Sequence, residues 1–369
     1  MNHKQIRYFF ACAFLAAALP VAHADKLDDN LQTVWESLWD QRGVPRAHLR
    51  WEQPITYRIH GANSARHREH IKAALEAATD IAKIQIIDVS QSPDTQTTAA
   101  LDLEVVNDTE LEDNQPCYTQ ILNYSAGVLT KARVKMRAKN TWNCAFHEMM
   151  HVMGIAGHPS GKTVLSYFPY RRDVFMDLDK LILAAWYSPE MRKNATPLEA
   201  LVVLARAVAW QTDLRVPAEE ALGRADAFKR KMLLQMEALA AGDGEVPSIV
   251  LRSGKASESF IRSARPTAAY FVGMAYFRGT IATKNPDASS PWFKRGAEKG
   301  FAPAQIMWGT ALIDGTGVPV DRPAGHAWLT LAAKSIPAVN NVLATIEKKM
   351  GPEEFEQARA LPPPLVDPS

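Results

Sequence analysis

A self-similar stretch near the C-terminus limits this 369-residue chain to a small set of architectures. Shifting the chain by 36 residues aligns small and aromatic residues: Ala268 with Ala304, Gly273 with Gly309, Gly279 with Gly315 and Trp292 with Trp328. Small residues let helices pack closely, and glycines let the chain turn between them. The repeat predicts helix–turn–helix units stacked into a solenoid.

The last part of the chain is predicted to be entirely helical. Strand-like patterns almost vanish after about Thr196, and Ala-, Leu- and Met-rich segments with helical spacing replace them. We expect a helical region with degenerate repeats at 196–265, two repeats at 266–336, and a capping helix with a tail at 337–369. The segments AYFVGMAYFRGT and AQIMWGTALIDGTG resemble Sel1-like repeats, relatives of the tetratricopeptide array. That resemblance implies a scaffold that contacts a protein.

Residues 25–195 show a different pattern, in which helical and strand-like segments both occur. Helices are predicted at 25–43 and 64–82, and strand-like runs at 49–60, 84–89, 100–106 and 128–136. Polar loops separate these segments. The order predicts an α+β domain in which a small sheet carries a long helix on one face.

The segment CAFHEMMHVMGIAGH, residues 144–158, contains the motif H-E-x-x-H. On a helix, His147 and His151 lie one turn apart on the same face, so both imidazoles can bind one zinc ion. Glu148 follows the first of them and can take a proton from a water that zinc has acidified. This arrangement predicts a zinc peptidase; the alternative is an accidental histidine pair or a decayed site.

The motif continues with Gly154 and a nearby histidine, and this longer pattern resembles the metzincin clan of zinc peptidases. In that clan a glycine lets the chain turn and present a third histidine. The position of the third ligand is occupied here by Gly157, and His158 comes one residue later. The resemblance favours His158 as the third zinc ligand, with Asp173, Asp177 and Asp179 as alternatives.

The segment TVLSYF, residues 163–168, resembles the metzincin Met-turn, with Leu165 in place of the methionine below the metal. The resemblance assigns Tyr167 to oxyanion stabilisation, with a core tyrosine as the alternative. Residues 51–201 also resemble a bacterial exported domain family of unknown function, through the paired cysteines and the C-A-F-H-E-x-x-H helix start. Many members of that family carry other residues at the histidine positions, so the fold does not by itself imply activity.

The N-terminus predicts export. Residues 1–24 have a basic start, an apolar stretch and the small residues Ala22 and Ala24, as in a secretory signal peptide. The mature protein is then periplasmic or secreted and keeps two cysteines, Cys117 and Cys144, which we expect to form a disulfide in an oxidising compartment. The alternative reading makes Cys144 a metal ligand.

The charge balance limits the classes of molecule that this chain is expected to bind. Lys and Arg number 42 against 40 Asp and Glu, which gives a net charge of +2 and argues against nucleic acid. No segment beyond the N-terminus is apolar enough to predict a transmembrane helix. Two functions remain: an exported zinc metallopeptidase that binds protein or peptide substrates, with repeats that recruit a protein, or a non-catalytic exported scaffold with a decayed or structural metal site.

Overall fold

A mixed five-stranded sheet forms the centre of the N-terminal region in the computed structural model. Its strands are β1 (Ile55–Gly61), β2 (Ile86–Asp88), β3 (Leu101–Val106), β4 (Cys117–Ser125) and β5 (Val128–Arg137). Their spatial order is β2-β1-β3-β5-β4. All neighbouring pairs are parallel except β4 with β5, so β4 is an antiparallel edge strand.

The structure describes residues 21–61, 63–91, 99–112, 115–166, 173–211, 214, 216–252 and 257–367. Most of the predicted signal peptide, residues 1–20, lies outside the described residues, and so does Tyr167. None of the described helices is long and apolar enough to cross a membrane.

Four helices belong to this region: α1 (Val21–Glu36), α2 (Ser64–Ala82), α3 (Thr141–Val152) and α4 (Asp177–Trp186). Of these, α2 and α3 pack on strands of the sheet. The predicted bounds of α2 are confirmed, because its apolar residues repeat at helical spacing and Ile71, Ala74 and Leu75 are buried. In β1 the burial alternates along the strand, with Ile55 and Ile59 inside. The predicted mixture of sheet and helices is therefore present.

One local prediction is wrong, and one strand was not predicted. The first helix ends at Glu36, not near residue 43, and Leu38 and Trp39 reach the core from the turn that follows it. Strand β4 was not predicted because it pairs on one side and most of its residues are partly or fully exposed, which removes the apolar alternation that marks a strand.

The C-terminal half is helical, as predicted. Its helices are α5 (Pro197–Ala209), α6 (Ala218–Ala241), α7 (Ser248–Arg252), α8 (Glu258–Arg278), α9 (Pro286–Glu298), α10 (Ala302–Asp314), α11 (Arg322–Ala333), α12 (Val339–Glu347) and α13 (Pro352–Ala360). The expected capping region therefore holds two helices, α12 and α13. Both follow α11 and pack against it.

The repeated glycines have the roles that their spacing predicts. Gly279 and Gly315 end α8 and α10 with φ of 73° and 71°, a left-handed conformation in which glycine carries no steric cost. Where α10 crosses α11, a Cβ on Gly309 would lie 2.9 Å from the carbonyl oxygen of Gly325. These two helices can therefore pack this closely only with a glycine at position 309.

The two halves share one hydrophobic core. Buried residues run without interruption from the sheet and α1 through α5 and α6 into α8. Two polar contacts hold α8 in place: Arg278 Nη1 lies 2.7 Å from each carboxylate oxygen of Glu199 on α5, and the Tyr276 hydroxyl donates to Glu237 on α6 at 2.6 Å. The start of the repeats is thereby fixed to α5 and α6, which share their core with the N-terminal region.

Candidate metal centre

Helix α3 brings the first two histidines together. His147 and His151 are one helical turn apart, and their Nε2 atoms are 3.3 Å from each other. Both Nδ1 atoms point to backbone carbonyls, of Val164 at 2.8 Å and of Ile155 at 2.7 Å. Because a carbonyl oxygen only accepts, each Nδ1 carries the proton and each Nε2 keeps its lone pair.

A sharp turn at Gly154 returns the chain toward this pair. Gly154 has φ of 99°, and a Cβ there would lie 2.0 Å from the Leu49 carbonyl oxygen. The turn places His158 beside both histidines: its Nε2 is 3.1 Å from His147 Nε2 and 3.2 Å from His151 Nε2. The structure thus brings the three histidines that the sequence predicts as ligands together, although His158 comes one residue later than the metzincin pattern places a third histidine.

Gly157 explains why that position holds no histidine. Its N–H donates to the Ser37 carbonyl at 2.9 Å, and a Cβ at residue 157 would lie 2.3 Å from the Glu36 carbonyl oxygen. The backbone here presses against the end of α1, where only glycine fits. The next residue, His158, is the one that reaches the cluster.

Two residues at the end of α1 and just after it, which the sequence did not single out, fix the loop that follows α3. Glu36, which is 3% exposed, accepts hydrogen bonds at 2.7 Å from both the backbone N–H and the hydroxyl of Ser160. The amide of Gln41 contacts the His158 ring: its nitrogen lies 3.0 Å from His158 Nδ1 and 3.1 Å from His158 Nε2. Both contacts restrict how far His158 can move.

The alternative aspartate ligands do not belong to the histidine cluster. Asp179 is buried and accepts from the backbone N–H groups of Met176 and Val164, which holds the segment that also binds His147. Burial raises the pKa of Asp179 to about 7, against the opposing effect of those N–H donors. Asp177 and Asp173 are exposed, and Asp177 pairs with Lys180 at 3.6 Å.

The general-base candidate Glu148 lies beside the histidines. It is 1% exposed, and its Oε1 is 3.9 Å from His147 Nε2. The hydroxyl of Thr119 on β4 donates to its Oε2 at 2.7 Å. Thr119 therefore orients the carboxylate, and one oxygen faces the cluster.

The donor set fits zinc. A tetrahedral zinc with Zn–N bonds of about 2.0–2.1 Å places its nitrogen ligands about 3.3–3.4 Å apart, close to the three separations of 3.1, 3.2 and 3.3 Å. Burial lowers the pKa of His151 to about 4, so this imidazole stays neutral near pH 7. Neutral imidazoles with converging lone pairs are the ligands that zinc requires.

The site opens into a groove of about 1200 Å³. It is lined by the three histidines and Glu148, by residues 117–121 of β4, and by residues of α8 and the start of α10. The groove therefore lies between the sheet region and the repeats, and both contribute to it.

The predicted disulfide between Cys117 and Cys144 is confirmed, with a Cα–Cα distance of 6.1 Å. It joins the first residue of β4 to α3, one turn before His147. Cys144 is therefore not a metal ligand. The bridge instead ties the edge strand of the groove to the helix that carries two histidines.

The Met-turn-like segment is described only in part. Thr163, Val164 and Leu165 are fully buried, and Val164 supplies the carbonyl that binds His147. The predicted oxyanion residue Tyr167 lies outside the described residues, so its role stays a prediction.

Sequence reasoning missed Glu36, Gln41 and Thr119. Each lies far along the chain from the residue it contacts: Glu36 and Ser160 are 124 positions apart, Gln41 and His158 are 117 apart, and Thr119 and Glu148 are 29 apart. None belongs to a motif with a fixed spacing from the histidines. Only the fold brings them to the site.

Comparison with known proteins identifies the repeats. The Sel1 repeat family model matches residues 266–301 and 302–335. Sel1 repeats commonly mediate protein interactions, so this part of the chain is a helical scaffold suited to binding proteins. The comparison with curated proteins found no match.

Two solved structures are similar to part of the chain. One is a protective antigen present in uropathogenic Escherichia coli that displays an SLR fold, 19% identical, covering 50% of this chain and 40% of that one, with a TM-score of 0.26. The other is a Sel1 repeat protein from Oxalobacter formigenes, 17% identical, covering 50% of this chain and 72% of that one, with a TM-score of 0.23. The chain thus spans 40% of the length of the first of these proteins.

Proposed function

We propose that this chain is an exported zinc-dependent peptidase whose helical repeats bind a protein substrate or partner. One observation carries the proposal: three Nε2 atoms lie within 3.3 Å of one another, beside the buried carboxylate of Glu148, in a groove of about 1200 Å³. The disulfide supports an oxidising location, periplasmic or secreted.

His147, His151 and His158 would hold the zinc ion through Nε2. Three protein ligands leave one coordination position open, which distinguishes a catalytic zinc site from a closed structural one. Zinc bound in this way supplies a Lewis acid that polarises a carbonyl and lowers the pKa of a water from about 15.7 to about 7.

Glu148 is the general base in this proposal. Its Oε1 faces the cluster and accepts a proton from the attacking water, then passes that proton to the amide nitrogen of the leaving group. The Thr119 hydroxyl donates to Oε2 and keeps the carboxylate in this orientation. The resemblance assigns oxyanion stabilisation to Tyr167.

Zinc content and cleavage together test the proposal. Elemental mass spectrometry on the purified chain should find one zinc per molecule in the wild type and less in His158→Ala. The wild type should cleave fluorescence-quenched peptides, and Glu148→Gln should keep the zinc and lose the activity. A wild type that stays free of metal after zinc has been offered would show that the proposal is wrong.

A second candidate is a non-catalytic exported scaffold. The family match lies entirely within the repeats, and it therefore supports protein binding more directly than it supports hydrolysis. On this hypothesis the histidines hold a structural metal or none, and Glu148 is dispensable. Equal retention of a bound protein by the wild type and Glu148→Gln, without cleavage by either, would favour the scaffold.

A further inference from the structure

Two parts of the fold line the groove beside the histidines, and they are called here the strand side and the repeat side. The strand side is formed by the edge strand β4, whose residues 117–121 and 124 line the groove. The repeat side is formed by Thr267, Tyr270 and Phe271 of α8 together with Phe301 before α10. The strand side offers the backbone groups of an edge strand together with Tyr118 and Tyr124, and the repeat side offers an aromatic cluster from the Sel1 repeats.

Tyr270 and Phe301 form the aromatic part of the repeat side. Their rings meet edge to face with centroids 5.5 Å apart, and both side chains are only half-buried. Phe293 lies behind Tyr270 at 6.2 Å and is 1% exposed. The buried ring supports Tyr270 from the core of the repeats, so apolar ring surface stays directed to the groove.

The repeat side has a fixed position relative to the metal centre. Arg278, two turns after Tyr270 on α8, is held at 2.7 Å by Glu199. Glu199 also caps α5 by accepting from the N–H of Thr196 at 2.7 Å, and α5 packs on α4 behind the site. Tyr270 and Phe301 therefore line the same groove as the three histidines in the arrangement that the structure shows.

We infer that Tyr270 and Phe301 determine the specificity of the groove by binding a large apolar side chain of an extended polypeptide. The inference rests on the proposed function, and it assigns the repeats a place in the substrate groove. An edge strand can pair with an extended backbone whatever its sequence, so selectivity has to come from side-chain contacts. Among the lining residues that the repeats supply, Tyr270 and Phe301 form an aromatic pair in direct contact.

Direct binding tests the inference without catalysis. The zinc-loaded full chain carrying Glu148→Gln is titrated by fluorescence anisotropy against two fluorescein-labelled Gly/Ser peptides that differ only in a central Phe or Ser. We expect the Phe peptide to bind at least about tenfold more tightly, because a buried Phe side chain is worth more than one decade of affinity. Adding Tyr270→Ala or Phe301→Ala should bring this ratio close to one.

Two further variants test whether a lost Phe preference comes from unfolding of the protein. Tyr270→Leu keeps apolar bulk and should retain part of the preference. Phe355→Ala removes a half-buried aromatic on α13, away from the groove, and should leave the ratio unchanged. An unchanged ratio in Tyr270→Ala, or no binding of either peptide, overturns the inference.

The outcomes separate this inference from the proposed function. If the wild type cleaves peptides but Tyr270→Ala keeps the Phe preference, the proposed function stands and the inference fails. If the Phe preference depends on Tyr270 and nothing is cleaved, the groove binds polypeptide as inferred, and the peptidase proposal fails.

Discussion

Replacing Gly154 by alanine should destabilise the N-terminal region and disrupt the metal centre together. Gly154 has φ of 99°, a left-handed conformation that costs a residue with a Cβ about 1–2 kcal/mol. The new Cβ would also lie 2.0 Å from the Leu49 carbonyl oxygen, which is backbone and cannot rotate away. Either the backbone around Leu49, which precedes β1, or the turn at Gly154 itself has to move.

The clash has a second cost. Leu49 O accepts the indole N–H of Trp186 at 2.8 Å, and moving it weakens a hydrogen bond worth about 1 kcal/mol. Overpacking of this kind adds about 1–3 kcal/mol. We therefore expect Gly154→Ala to lower the free energy of unfolding by about 4 kcal/mol and to weaken zinc binding at least tenfold, because the turn places His158.

Urea denaturation followed by tryptophan fluorescence measures the first effect, and titration against a competing chelator measures the second. Gly223→Ala is the matched control, since no atom lies within 4 Å of its added Cβ inside α6. That substitution should stabilise the helix by about 0.5–1 kcal/mol. A loss below about 1 kcal/mol in Gly154→Ala, with zinc affinity unchanged, would refute the reasoning.

Three further perturbations address the supports of the site. Removing the disulfide with Cys117→Ala and Cys144→Ala should lower the free energy of unfolding by about 3.5 kcal/mol in the loop-entropy model, measured in guanidinium under oxidising conditions. Glu36→Ala should weaken zinc binding about 10–100-fold in a chelator competition, because Ser160 loses the acceptor that fixes the His158 loop. Burial lowers the pKa of His48 from 6.5 to about 4. Between these two pH values, His48 is therefore protonated in the unfolded chain and neutral in the folded chain. Stability from neutral His48 is therefore lost as pH falls from about 6.5 to 4, and His48→Gln should gain up to about 3 kcal/mol relative to wild type over that interval in metal-free urea titrations.

Each of these three predictions has an outcome that would contradict it. Reducing the wild type should make it match the double cysteine variant, and a persistent difference would mean that packing, not the bridge, was lost. An unchanged zinc affinity in Glu36→Ala would show that Gln41 alone holds His158. A stability difference between His48→Gln and wild type that stays constant with pH would remove His48 as the source of the acid sensitivity.

Local patterns were sufficient wherever neighbouring residues carry the signal. The 36-residue spacing predicted paired helices with glycines at their ends, and the Sel1 match and the left-handed Gly279 and Gly315 agree with it. The regular apolar spacing of α2 gave its bounds, and two cysteines in a chain with a predicted signal peptide predicted their own bridge. In each case the physical cause acts within a helix, within a turn or between the two partners available.

Contacts between distant segments determined the features of the fold and of the candidate site that local patterns did not predict. The exposed edge strand β4 has no apolar alternation, so its pairing with β5 could not be predicted from the segment alone. The same holds for Glu36 behind the His158 loop, and for the repeat residues Tyr270 and Phe301 beside the groove. The amino-acid sequence by itself determined most of the helices and strands, and it showed which side chains are chemically capable of binding a metal. Only the tertiary structure decided which of them meet, because one shared core packs α1, the sheet and α8 together.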